Sequence, residues 1–93
     1  MVDSTPPTDD FAWETSGLVG HFTHAGSLNE GTTHPFVVDV AEKYNASGAG
    51  GQPTTVIGYS EKLKKDIPIT CRPRSDGNMY CYGGNAVEIV LWR

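Results

Sequence analysis

Cys71 and Cys81 flank Ser75-Asp76-Gly77, a segment with the residues of a tight turn. If Arg74 pairs with Asn78 around that three-residue loop, with Gly77 in the left-handed conformation, the same register sets residue 71 opposite residue 81. Directly opposed side chains come close enough for a disulfide, so turn chemistry and cysteine spacing point to one stapled β-hairpin. Free buried thiols and metal ligation are the alternatives. Structural zinc calls for four ligands, and a nine-residue gap is not the usual knuckle. A bridge closing so short a loop adds about 2–3 kcal/mol in the chain-entropy account and implies an oxidising compartment.

The rest of the chain supplies something for that hairpin to pack on. Residues 1–10, with Pro6, Pro7 and three aspartates, read as a flexible arm, and residues 11–93 as one small domain. Phe11, Ala12 and Trp13 are the first residues able to dock; Leu18, Val19 and Phe22 predict a first strand, and residues 26–33 a polar loop. A helix is predicted over residues 35–44, with Thr33 as N-cap, Pro35 in the first turn and Phe36, Val37, Val40, Ala41 and Tyr44 as its apolar stripe. The glycine-rich residues 45–53 predict a mobile connection, and Asn45-Ala46-Ser47 matches a glycosylation sequon. Period-two alternation then predicts strands over residues 54–59, 67–72, 78–82 and 86–92. The fold class expected is α+β, a short helix packed on a small antiparallel β-meander with one hairpin disulfide.

Alternation also sorts side chains by face. Ile67, Ile69, Cys71, Met79, Cys81, Val87, Ile89 and Leu91 should meet the helix, while Thr70, Arg72, Tyr80, Tyr82, Glu88 and Trp92 point away. Two Tyr, a Trp and an Arg on one surface have the composition of an interface hot spot, so Arg72, Tyr80, Tyr82 and Trp92 are the candidate binding residues. The alternative is a second side covered from within the chain, with Trp13 or Phe22 laid across it.

Charge and motifs narrow the chemistry. The net charge of −4 offers no cationic field for phosphates, which argues against nucleic acid. Residues 1–45 carry a net −6 and residues 46–93 a net +2. No apolar run approaches the roughly 20 residues that span a bilayer. The start Met1-Val2-Asp3-Ser4 has no signal-peptide pattern, so the expectation is a mature segment or a protein acting where it is made. His21, His24 and His34 do not have strand-compatible ligand spacing, Ser27 and Ser60 lack a nucleophile context, and residues 48–51 open no helix. No catalytic residue, metal or cofactor is expected.

The segment Gly77-Asn78-Met79-Tyr80-Cys81-Tyr82-Gly83-Gly84-Asn85-Ala86-Val87, preceded by Cys71, resembles the C-terminal pattern of small extracytoplasmic domains of actinobacteria, which occur in secreted proteins, lipoproteins and the outer portions of membrane-anchored Ser/Thr kinases. Thr32-Thr33-His34-Pro35-Phe36-Val37 is similar to the start of their short helix, with His34 where the family often has cysteine. The resemblance spans residues 32–92. It implies an extracytoplasmic location and a similar fold; together with the staple and the Tyr80, Tyr82 and Trp92 face, the expected function is a non-catalytic module of the cell envelope that binds a protein or envelope component. The alternative function is a structural accessory subunit of a larger assembly, a membrane complex or a phage particle.

Overall fold

The computed structural model describes residue 7, residues 9–84 and residues 86–93. Six strands form one antiparallel sheet in the order β1-β2-β6-β5-β4-β3: β1 Trp13–Ser16, β2 His24–Ser27, β3 Thr54–Ser60, β4 Lys65–Pro73, β5 Met79–Gly83 and β6 Val87–Trp92. The one helix among the described residues, α1 (His34–Ala46), carries the chain from β2 across one face to the far edge at β3. The expected meander is β3 to β6, and two further strands extend it.

The hairpin has the register that its turn residues require. Arg74 donates its N–H to the Asn78 carbonyl at 2.7 Å, Gly77 sits at φ 86°, and Cys71 faces Cys81 in a disulfide with Cα atoms 4.0 Å apart. Since the 74–78 pair is hydrogen-bonded, alternation makes 71–81 a non-hydrogen-bonded pair, the kind whose side chains approach closest. The same parity places the two prolines of β4. The nitrogen of Pro68 faces β5 beyond Gly83, and that of Pro73 faces β3 before Thr54, so neither removes a ladder bond.

The core fills the space between α1 and the sheet. Phe36, Val37, Val40, Ala41 and Tyr44 of the helix are buried with Val56, Ile67, Ile69, Met79, Val87, Ile89, Leu91 and the disulfide. Gly58 lets the helix close on β3, because a Cβ there would lie 2.9 Å from Val40 and 3.0 Å from the Phe36 ring. Thr33 is the N-cap without a side-chain cap bond, and the helix starts one residue earlier and ends two later than expected.

Three local expectations need correction. Residues 17–23, including Leu18, Val19 and Phe22, form no strand; they link β1 to β2, and Phe22 goes into the core against Tyr44, ring centroids 5.6 Å apart. The strand is His-Ala-Gly-Ser, which takes Gly26 and Ser27 out of the expected polar loop; it has little β-propensity and is held by neighbours on both sides. The glycine-rich connection is tied down: the Tyr44 hydroxyl donates to the Gln52 carbonyl at 2.8 Å and accepts the Gly51 N–H at 2.9 Å. Burial raises the pKa of Tyr44 above its ordinary value of 10, although the Gly51 bond works the other way.

Asn45 ties down the preceding loop. Its amide donates to the carbonyls of Val19 and Phe22 and accepts the Phe22 N–H at 3.1 Å, so the sequon asparagine is committed to the fold. Most of the expected N-terminal arm lies outside the described residues, but Asp9 accepts a hydrogen bond from Arg74 at 3.0 Å.

Candidate functional site

The sheet has its helix on one side only, so its second face decides what is left to bind. Parity puts Thr55, Ile57 and Tyr59 of β3, Asp66, Pro68, Thr70 and Arg72 of β4, Tyr80 and Tyr82 of β5, Glu88, Val90 and Trp92 of β6, and His24 and Gly26 of β2 on that face. The four candidate residues therefore do share one surface, but they are not equally accessible.

Trp92 is only 7% exposed. Phe11 stacks on it at 5.1 Å and His24 at 5.6 Å, with interplanar angles of 16° and 15°. Phe11 reaches this face because the chain bends at Ala12, whose N–H donates to the Ser27 carbonyl at 2.9 Å. Gly26 leaves room for it, since a Cβ there would lie 2.7 Å from the ring. The residue laid across the second face is thus Phe11, and neither Trp13 nor Phe22. Trp13 is on the helix side, donating its indole N–H to the Thr32 carbonyl at 3.2 Å and meeting His34 edge to face.

Away from that cover, among the described residues, the face is open. Arg72, Pro68, Ile57 and Tyr59 are exposed, the last two at 48% and 41%. Tyr80 and Tyr82 are half-buried and stack at 5.4 Å. Tyr80 donates to Glu88 Oε1 at 2.9 Å. Burial, the hydrogen bond to Glu88 and the Glu88 charge push its pKa up to about 12. A neutral, oriented phenol beside an exposed guanidinium is suited to hydrogen bonding and stacking.

A second polar group closes the end of the hairpin. Arg74 Nη2 meets both Asp9 Oδ1 at 3.0 Å and Asp76 Oδ2 at 2.9 Å. Burial works against the charge of Arg74, but its hydrogen bond to Asp9 and the charges of Asp76 and Asp9 outweigh it and raise the pKa. Asp76 is likewise penalised by burial, yet hydrogen bonds from Asn78 and the charge of Arg74 hold its carboxyl below the ordinary range. These contacts serve the turn.

Each histidine packs against a different aromatic ring: His21 on Phe22, His24 on Trp92 and His34 on Trp13. Among the described residues no three His, Cys, Asp or Glu side chains are grouped to hold a metal, and no helix is long and apolar enough to cross a membrane. Comparison with protein-family models, curated proteins and solved structures finds no match to this chain.

Proposed function

We propose that this protein is a non-catalytic interaction module that binds a protein or cell-envelope component through the open part of its sheet, with Arg72, Tyr80 and Tyr82 as contact residues and Trp92 as the packed floor beside them. The observation that carries the reading is the one-sided sheet: the described chain covers Trp92 with Phe11 but leaves Arg72, Pro68, Ile57 and Tyr59 exposed around a stacked tyrosine pair. Aromatic and arginine side chains on a rigid strand lose little conformational entropy when they are covered, which is why they dominate interface energetics. The disulfide supports an extracytoplasmic location, and the similarity of residues 71–87 to actinobacterial envelope domains supports the same compartment.

Binding of the full chain to purified cell-wall and membrane-protein fractions, read by cosedimentation, tests this. A folded Arg72→Ala/Tyr82→Ala variant should lose at least tenfold in binding. Wild-type binding by that variant would remove the open face from the reading.

A further inference from the structure

The sheet ends on β3, whose seven residues, Thr54-Thr55-Val56-Ile57-Gly58-Tyr59-Ser60, carry no charge and no proline. The opposite edge, β1, is four residues long and includes Glu14. A long, uncharged edge strand is a template for another strand unless something blocks it. The Tyr59 N–H turns outward and donates to Asp39 Oδ2 at 2.8 Å. Alternation therefore turns the main-chain groups of Thr55 and Ile57 outward as well, while Val56 and Gly58 bond to β4. No hydrogen bond among the described residues reaches those outward groups of Thr55 and Ile57.

Beside this edge lies a groove of about 390 Å³ between α1 and β3, lined by His34, Val38, Asp39 and Glu42 from the helix and by Tyr59 and Glu61 from the strand side. Its charge is acidic. Lys43 is held by Asp39 at 2.9 Å, and Lys62 lines a different cavity, with Ser60, Leu63 and Ile67.

We propose that β3 is a strand-addition site for an extended basic segment of a partner protein. The segment pairs its main chain with Thr55 and Ile57, and its alternate side chains, arginine or lysine, enter the groove beside Glu42 and Glu61. The charge selects the occupant. A second copy pairing antiparallel through β3 about a twofold axis at Ile57 would bring no positive charge to either groove: Tyr59 would face Thr55 of the other copy, so the two acidic grooves would lie at opposite ends of the joined pair with neither neutralised. The chain's own N-terminal segment, with Asp3, Asp9 and Asp10, has the wrong sign. This site uses the main-chain edge of β3 and the groove on the helix side, and it borders the open face at Ile57 and Tyr59.

The test uses the isotope-labelled full chain and two heptapeptides, one alternating Arg and Thr, the other Glu and Thr. The Arg/Thr peptide should shift the amides of residues 55–59 and the Glu/Thr peptide should not. A Glu42→Gln/Glu61→Gln variant should bind the Arg/Thr peptide about fivefold more weakly, since each exposed ion pair contributes little. Ile57→Pro removes an outward N–H that the ladder does not use and should abolish binding. If that variant does not fold, the glutamine pair, which touches only exposed side chains, decides. Equal binding of the two peptides, unchanged binding by the glutamine pair, shifts at Arg72 and Tyr82 in place of β3, or dimerisation through β3 in sedimentation would each overturn the proposal.

Discussion

Tyr80 concentrates the electrostatics of the open face in one side chain. Burial and Glu88 both favour its neutral form, so its folded pKa of about 12 stands above the ordinary value of 10. The unfolded chain then releases this proton first. Stability from the Tyr80 and Glu88 contact is complete below pH 10 and is lost as pH rises from 10 through 12. Tyrosine carbon shifts followed through an alkaline titration should show Tyr80 ionising near 12, and Glu88→Gln should bring it part of the way back, since burial remains. An unmoved midpoint in that variant would assign the whole shift to burial. The residues themselves were legible as outward-facing in the sequence; the glutamate partner two positions across the β5–β6 ladder was legible only as a member of the same face.

At the scale of elements, the contact between α1 and β3 depends on a missing side chain. Gly58 is the point where Phe36 and Val40 rest on the strand. Valine there would favour the strand by propensity but overpack the interface, with an expected cost of about 1–3 kcal/mol in the denaturant midpoint. A gain in stability would show that the helix can ride higher. Helix, hairpin and the last four strands all announce themselves locally: a 3.6-residue apolar stripe, a turn with Gly77, alternation in β3 and β4, and β-branched and aromatic runs bounded by turn residues in β5 and β6. The first two strands do not. Trp-Glu-Thr-Ser and His-Ala-Gly-Ser lack apolar alternation, whereas Leu18, Val19 and Phe22 imitate a strand and form the loop that Asn45 ties to the helix.

For the whole molecule, the asymmetry of cover matters most. One face is sealed by α1, and among the described residues the other is covered at one end, by Phe11 over Gly26 and Trp92. Phe11→Ala should therefore leave the helix-side core intact while increasing acrylamide quenching and red-shifting emission from Trp92, at a cost of about 1–2 kcal/mol. Unchanged quenching would mean that another group covers the indole. The division between sealed and open halves is what leaves Arg72 exposed, Tyr82 half-buried and the β3 edge unpaired among the described residues.

The chain's own order of residues determined the staple, its register, the helix stripe and the two facing sets of side chains, because each depends on neighbours within a few positions or on the pleat of a single strand. Tertiary structure decided the rest. It recruited two strands of weak propensity, β2 onto β6 and β1 onto β2, where ladder pairing outweighs their local preference. It chose Phe11 to cover Trp92 through a bend at Ala12, and it brought Glu42 of the helix and Glu61 after β3 to one groove. Such placements join residues far apart in the chain, and no period in the sequence encodes them.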